Sequence, residues 1–490
     1  MNIKRAKQEI KDTLQAYFLK DEWGSYEIPP LRQRPILLLG SPGIGKTQIM
    51  EQIAKECGIG LVSYTITHHT RQSAIGLPFI TKRNFGEEEY SVTEYTMSEI
   101  VMSVYEKIEK TGLQEGILFI DEINCVSETL APAMLQFLQC KTFGNHKIPE
   151  GWLIVAAGNP PEYNKSVREF DVVTMDRVKK IEVEADFEVW KEYAYANRLH
   201  PAVISYLNTK KQYFYRMETT VDGREFATPR GWEDLSTIIT VYEKTKSTVD
   251  REVIVQYIQH PKIAKDFANY LELYYKYQTD YQIEEIFRGN LDENLIKKIA
   301  HAAFDERLSV IGLLLSKVNE GIHAAAEKEK QMEMLQTFLL RYKENEQPFE
   351  DIVAAVVTEK NAKEFAELLT REEKRRYQNV ITLLEIYAQR LRLEHVTSYE
   401  DAFAKVKEWF AQENQDYLDK TDTAVQRLEY AFDFMEGTGL TGQEMVIFIT
   451  ELNANAANVS FLRENAKERY FFYNKNLLFQ DKREKILERL

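Results

Sequence analysis

The chain has 490 residues, of which 44% are hydrophobic and 29% are charged, and its formal net charge is −14 at pH 7. This length exceeds what one hydrophobic core usually supports, so we expect two to four domains. The acidic balance argues against unspecific binding to nucleic acid or to anionic lipid. No apolar run approaches the ~20 residues of a membrane span, and the N-terminus leads into a charged helix without an apolar signal core.

Three cysteines, Cys57, Cys125 and Cys140, are present, and no CxxC motif occurs. Such sparse cysteine favours a reducing compartment without a zinc framework, so we expect a cytoplasmic protein. Cys125 has no adjoining histidine or other base, which favours a role as a small hydrophobic residue over a role as a nucleophile.

An amphipathic segment opens the chain. Ile3, Ile10, Leu14 and Phe18 recur at helical spacing before a loop that ends in Pro29-Pro30. We therefore assign residues 1–30 to an N-terminal helix and loop. The next apolar run, over residues 35–39, is expected to form a strand.

A glycine-rich segment comes directly after this strand and opens onto helical spacing. The segment reads Gly40-Ser41-Pro42-Gly43-Ile44-Gly45-Lys46-Thr47 and is followed by Gln48. Glycines let the backbone N–H groups turn inward around an anion, and the positive end of the next helix points to the same place. In this P-loop motif the lysine reaches the β- and γ-phosphates and the hydroxyl binds Mg²⁺. We predict that residues 40–48 bind a nucleoside triphosphate and that Thr47 is a Mg²⁺ ligand.

A second motif is the apolar run 117–120, which ends in Asp121 and Glu122. Open α/β sheets bind ligands at the carboxyl ends of their strands, so both carboxylates are expected at that edge. Asp121 would hold Mg²⁺, and Glu122 would orient and deprotonate the attacking water.

Three shorter signals lie farther along the chain. Asn159 comes just after the apolar strand 152–156, Asp176-Arg177 precedes another expected strand, and Arg230 lies in Thr228-Pro229-Arg230. An asparagine at a strand end could bond the γ-phosphate or its water. It could equally be a turn-forming residue before Pro160.

From about residue 245 onward the pattern is helical and contains neither a second P-loop nor metal-ligand spacing. The tyrosines of residues 270–281 could stack on bases, but their helical spacing and the charged residues between them favour core packing. The histidines of this half and of the segment before it are scattered and indicate no site: His200, His260, His301, His323 and His395.

The order and spacing of these motifs over roughly residues 30–240 resemble the AAA+ ATPases, specifically the MoxR-like branch. That resemblance implies an α/β P-loop core with a parallel five-stranded sheet over residues 31–186 and a small helical lid over 187–245. It does not extend to residues 246–490, where the helical pattern predicts a large all-helical C-terminal extension without a motif of the family. It also implies two inserted segments that face a central pore and engage a partner. The segment Lys141–Glu150 is similar to the pre-sensor-1 hairpin, and His68–Pro78 together with the residues after it resembles the helix-2 insert.

The resemblance also implies roles for single residues. Asn159 corresponds to the sensor-1 polar residue, Arg230 to sensor 2 on the lid, and Arg177 to the arginine finger that reaches the γ-phosphate of a neighbouring subunit. Arg168 is a rival for the finger, and Arg177 is favoured because it directly precedes a strand. With Glu122, these residues are the expected catalytic set.

The expected function is that of a cytoplasmic Mg²⁺-dependent ATPase that forms a homo-oligomeric ring, with a hexamer as the expected form. ATP would bind between the α/β domain and its helical lid at a subunit boundary. Hydrolysis would drive chaperone-like remodelling of a protein, often with a von Willebrand factor A-domain partner. Two alternatives stay open: a nucleic-acid motor subunit, which the acidic charge disfavours, and a nucleotide-switched scaffold, which the intact Asp121-Glu122 pair disfavours.

Overall fold

The computed structural model describes residues 1–68, 74, 76–86, 88–143, 145–163, 170–221, 223–290, 292–345 and 347–475. The chain divides into two compact units. The first comprises Met1–Val189 and Glu359–Lys374, and the second comprises Trp190–Thr358 and the described residues from Arg375 onward.

A parallel five-stranded sheet forms the centre of the first unit, with the strand order β2-β5-β8-β1-β9. The strands are β1 (Ile36–Gly40), β2 (Gly60–Thr65), β5 (Gly116–Asp121), β8 (Trp152–Gly158) and β9 (Lys179–Val183). Leu38 of β1 lies opposite Ala157 on one side and Ile181 on the other. Near-continuous apolar runs suit such strands because helices cover both faces of a parallel sheet. The predicted α/β P-loop fold is confirmed.

Helices alternate with these strands along the first unit. They are α1 (Ile3–Phe18), α2 (Lys46–Cys57), α3 (Glu99–Thr111), α4 (Ala131–Cys140) and α5 (Val172–Arg177). Asn2 caps α1 by accepting a hydrogen bond from the Arg5 backbone N–H, as short polar side chains do at helix N-termini. α2 ends at Gly58, whose φ of +66° is left-handed, so this glycine is the predicted helix-terminating residue.

Two antiparallel hairpins also belong to the first unit. One pairs β3 (Pro78–Phe85) with β4 (Glu88–Tyr95). The other pairs β6 (Thr142–Phe143) with β7 (His146–Lys147) and confirms that the segment Lys141–Glu150 forms a hairpin. Within the predicted insert His68–Pro78, residues 69–73 and 75 lie outside the described residues.

The second unit contains the hairpin of β10 (Arg216–Thr220) and β11 (Gly223–Ala227) and is otherwise built of helices. The helices from Phe187 onward are α6 (Phe187–Ala196), α7 (Pro201–Thr209), α8 (Pro229–Thr245), α9 (Arg251–Tyr257), α10 (Pro261–Asp280), α11 (Ile283–Ile286), α12 (Glu293–Ala300), α13 (Phe304–Asn345), α14 (Phe349–Phe365), α15 (Arg371–Leu393), α16 (Tyr399–Gly437), α17 (Gln443–Asn453) and α18 (Ala456–Asn465). The large helical C-terminal region is therefore confirmed.

Aromatic packing accounts for the tyrosine-rich helix α10. Phe267 and Tyr274 are buried, and Tyr206 of α7 packs against Phe267 with ring centroids 5.1 Å apart. The Tyr270 hydroxyl donates to the Ser205 hydroxyl at 2.8 Å. These rings form part of a core, as the helical spacing predicts, and do not form an exposed stacking surface.

Within the described residues no single helix has the length and apolar character to cross a membrane. Taken together, α17 and α18 have the length and composition of a membrane span, but the two helices meet at a 103° bend.

Candidate active site

The loop between β1 and α2 takes its shape from glycine. Gly43 and Gly45 have φ of +77° and +94°, a region that side chains other than glycine rarely adopt. Gly40 ends β1 against β9, where an added Cβ would lie 2.6 Å from the Val183 carbonyl oxygen. The loop therefore keeps this conformation only with glycine at these positions. It leads directly into the N-terminus of α2.

Lys46 connects this loop to the end of β8. Its side chain is buried, with 7% of the residue exposed. The ammonium donates to the carbonyl oxygens of Gly40 and Ser41 at 2.7 and 2.9 Å and to Asn159 Oδ1 at 2.9 Å. Phosphate oxygens are acceptors of the same kind, so they can replace these oxygens around the ammonium.

Thr47 and Asp121 also meet, at the end of β5. The Thr47 hydroxyl donates to Asp121 Oδ2 at 2.9 Å. Asp121 Oδ1 accepts the Glu122 backbone N–H at 2.9 Å, which fixes the orientation of the carboxylate. A hydroxyl and a carboxylate are oxygen ligands of the type that Mg²⁺ prefers, so this pair fits the predicted metal site.

Glu122 comes next, with a left-handed backbone at φ +57° and ψ +34°. This conformation turns the chain sharply off the line of β5. Among the described residues, the Glu122 carboxylate has no hydrogen-bond partner, whereas that of Asp121 is bound. The two neighbouring carboxylates are therefore in different settings, one held in place and one available as a base.

Asn124 holds the backbone of Asn159 in place, and the sequence alone did not predict this role. It is buried, and its Nδ2 donates to the Asn159 carbonyl oxygen at 2.7 Å. Its Oδ1 is buried without a hydrogen-bond partner in the described part of the chain. Gly158 makes room for it, because a Cβ there would lie 2.6 Å from Asn124 Oδ1. The available signal was a polar residue two positions after the Asp121-Glu122 pair, which alone does not indicate a contact.

The predicted arginine finger, Arg177, does not take part in these contacts. Arg177 is the last residue of α5, is exposed, and contacts Gln139 Oε1 through its guanidinium. Arg230 belongs to the second unit, where it is the second residue of α8 and is exposed. Arg168 falls outside the described residues. The structure brings together Lys46, Thr47, Asp121 and Asn159 and places Glu122 next to them, whereas the roles of the arginines stay predictions.

Residues 36–175 match the protein family described as "ATPase family associated with various cellular activities (AAA)". Among solved structures, the chain is similar to a mutant of RuvB from Thermotoga maritima, with 15% sequence identity and a TM-score of 0.29 over 53% of this chain and 69% of that one. No curated protein sequence is similar enough to this chain to count as a match.

Proposed function

Given that the chain is a P-loop ATP-hydrolysing enzyme with an AAA domain over residues 36–175, we propose that it works as a Mg²⁺-dependent ring ATPase of the MoxR-like type. Each active site lies at the boundary between two subunits of the ring. Hydrolysis drives the remodelling of a protein partner.

The pairing of Lys46 with Asn159 carries this proposal. Two segments 113 residues apart in the sequence meet at 2.9 Å, beside the Thr47–Asp121 pair. In the proposed mechanism, Lys46 and the backbone N–H groups of the loop bind the β- and γ-phosphates. Thr47 and Asp121 would hold Mg²⁺, and the bound ion would supply positive charge against the phosphate oxygens.

Glu122 accepts a proton from the attacking water while the water oxygen bonds to the γ-phosphorus. The bond from that phosphorus to the β–γ bridging oxygen breaks, and ADP leaves with the electron pair. The unpartnered Glu122 carboxylate suits this task, because a base already held by an ion pair would be a weaker acceptor. Asn159 orients the water through its amide.

Arg177 is proposed to act on the site of the neighbouring subunit. Support comes from its exposure at the end of α5, whose Val172 and Val173 are 84% and 58% exposed. These two adjacent valines form a small exposed apolar patch, and apolar patches are candidates for contact with another protein surface. Burial of these valines against a second copy would bring a cation to the boundary, where it offsets charge on the transferring phosphoryl group.

The hairpin of β3 and β4 supports a protein partner over a nucleic-acid partner. Large apolar side chains are exposed along it: Phe79, Ile80, Phe85 and Tyr90. Its cations are paired within the hairpin, Lys82 with Glu89 at 2.8 Å and Arg83 with Glu94 at 2.5 Å. Nucleic-acid binding depends on cations that are available to phosphates, so this surface is better suited to an apolar peptide segment. A partner with a von Willebrand factor A domain is proposed from the MoxR-like resemblance.

Mixing two inactive variants tests the boundary site. Lys46→Ala removes the phosphate contact from one subunit and Arg177→Ala removes the cation from the other, so each variant alone should be inactive. Mixed rings regain some boundaries with both groups intact, and ATPase activity should reappear with a maximum at intermediate ratios. Lys180→Ala is the matched control, because this exposed cation on β9 is paired with Glu182 of its own chain. No recovery at any ratio would reject Arg177 as a residue acting in trans.

The same ATPase assay distinguishes the two alternative functions, a nucleic-acid motor and a nucleotide-switched scaffold. ATPase activity that rises with added DNA at physiological salt would favour a nucleic-acid motor, and tight ATP binding without turnover would favour a nucleotide-switched scaffold. A trans arginine is worth about 10³–10⁵ in rate. Wild-type turnover per subunit should therefore fall steeply when dilution dissociates the ring.

A further inference from the structure

Three side chains that lie far apart in the sequence converge in the second unit. Glu218 is on β10, Glu225 is on β11, and His260 directly precedes α10. One ring nitrogen of His260 and one carboxylate oxygen of each glutamate lie within 4.8 Å of one another. None of the three belongs to the ATPase site described above.

The two glutamates face each other across the hairpin. Glu218 pairs directly with Glu225 in the antiparallel register, and like charges in that position destabilise a sheet. Arg216 offsets part of this charge by donating from Nε to Glu218 Oε1 at 2.7 Å. This contact occupies one of the two carboxylate oxygens of Glu218. Its second oxygen, Oε2, stays directed toward His260.

His260 meets this acidic pair without a hydrogen bond. Its side chain is 5% exposed, with Nε2 3.6 Å from Glu218 Oε2 and Nδ1 3.7 Å from Glu225 Oε2. Both distances exceed that of an N–H···O hydrogen bond. Within the described residues, Nδ1 is buried and has no partner, whereas buried polar atoms in folded proteins nearly always have one.

We propose that Glu218, Glu225 and His260 bind a divalent metal ion of the Zn²⁺ class. One imidazole nitrogen and two carboxylate oxygens form a ligand set that suits Zn²⁺. Tetrahedral coordination with bonds of about 2.1 Å puts neighbouring ligand atoms about 3.4 Å apart. Glu218 Oε2 lies 3.6 Å from Nε2 and Glu225 Oε2 lies 3.7 Å from Nδ1, so each glutamate approaches a different ring nitrogen. One ring nitrogen and one oxygen of each glutamate lie within 4.8 Å of one another, which is wider than the tetrahedral spacing. A small rotation of the two glutamate side chains, which are 37% and 29% exposed, closes the site.

The metal would supply positive charge that offsets the repulsion between the two glutamates. It would also join the hairpin to the start of α10, next to the hydrogen bond from the Phe226 backbone N–H to the Gln259 carbonyl oxygen at 2.9 Å. Three protein ligands leave the fourth position to a water molecule on the solvent side. The ion therefore fastens one part of the second unit to another, independently of ATP.

Zinc titration of the full-length protein tests this site after dialysis against a chelator. The titration uses an Asp121→Asn background, so that the ATPase site contributes no metal ligand. Glu218→Gln and Glu225→Gln keep the size of each side chain and remove its charge, and they avoid the folding risk of replacing buried His260. Glu252→Gln on α9 and His301→Ala are matched controls, because both residues are exposed and lie outside the cluster.

The expected result is one Zn²⁺ per chain, a Tm that rises with Zn²⁺, and an affinity at least about tenfold weaker in each glutamine variant but unchanged in both controls. Co²⁺ in place of Zn²⁺ should give a visible spectrum without a sulfur charge-transfer band, which excludes the three cysteines as ligands. Absence of Zn²⁺ binding, binding that both glutamine variants retain, or a sulfur band would each overturn the proposal. A Tm that depends on pH but not on Zn²⁺ would assign the cluster to a protonated histidine and reject the metal.

Discussion

The Lys46 ammonium lies 2.9 Å from the side-chain oxygen of Asn159, which joins the nucleotide-binding loop to the end of a strand 113 residues farther along the chain. The same ammonium contacts two carbonyl oxygens of its own loop. The ammonium that we propose to bind phosphate is thus held in place by neutral oxygens, which release it more readily than a carboxylate would.

Asn159→Asp should therefore weaken ATP binding. A carboxylate at this position would form an ion pair with Lys46 and repel the γ-phosphate, so we expect Kd for ATP to rise at least about tenfold. Asn159→Ala removes the oxygen without adding charge, and it should lower kcat more than it weakens binding. Calorimetric titration with ATP and steady-state kinetics measure the two effects. Wild-type affinity in Asn159→Asp would show that the ammonium does not bind phosphate from this position.

Glu122→Gln should separate binding from turnover. The amide keeps the shape of the side chain but cannot accept the water proton, so ATP affinity should stay within about twofold while kcat falls about 10²–10⁴-fold. Glu128→Gln, an exposed carboxylate six residues later, is the control and should leave both values unchanged. If Glu122→Gln lost ATP binding instead, its assignment as the base would be wrong.

Asn124 and Gly158 should show strong coupling in a double-mutant cycle. Gly158→Ala places a Cβ 2.6 Å from Asn124 Oδ1, and the overlap should cost about 1–3 kcal/mol of unfolding free energy. Asn124→Ala leaves the Asn159 carbonyl oxygen without its donor, at a cost of about 1–3 kcal/mol. The double variant removes the group that the new methyl would strike, so its loss should be smaller than the sum of the two single losses. Urea unfolding of the wild type and the three variants measures the coupling free energy between the two positions. Strictly additive losses would contradict the contact between Asn124 and Gly158.

Lys141 should make stability depend on alkaline pH. Burial lowers its pKa to about 8, whereas an unfolded lysine titrates near its ordinary value of about 10.4. Between these two pH values the unfolded chain binds the extra proton, so unfolding becomes harder as the pH rises. Below pH 8 the folded protein carries a buried charge that costs on the order of 3 kcal/mol.

Lys141→Met should therefore stabilise the protein at pH 7, by less than that amount because the hydrogen bond to Gln33 Oε1 at 3.2 Å is lost. The gain should shrink toward zero near pH 10, where the wild-type lysine is largely neutral. Chemical denaturation of both proteins at the two pH values measures the difference. Lys107→Met is the control, because this lysine is paired with the exposed Glu367.

The sheet and the nucleotide loop could be predicted because their signals are local. The runs in β1 and β5 are apolar throughout, and the residue types of the loop are those that phosphate binding requires of a backbone. The role of Asn124 could not be predicted in this way. It depends on a glycine 34 positions later that has no side chain to exclude it, and no spacing rule connects the two.

The cluster at His260 shows the same limit. The sequence shows no metal-ligand spacing there because the proposed ligands lie on two strands and before a helix, and only the register of the hairpin places Glu218 opposite Glu225. The arginines mark a different limit. Whether Arg177 meets a neighbouring subunit is a property of an assembly, and the predicted domain boundaries and hexamer likewise stay predictions.

The left-handed backbone at Glu122 has a cost as well as a use. A non-glycine residue loses on the order of 1 kcal/mol of folding free energy by adopting φ near +57°. Glu122→Gly would remove this strain. Glycine carries no carboxylate, so in the proposed mechanism the less strained variant would lack the base and would not hydrolyse ATP. Thermal robustness and turnover therefore pull in opposite directions at this one position.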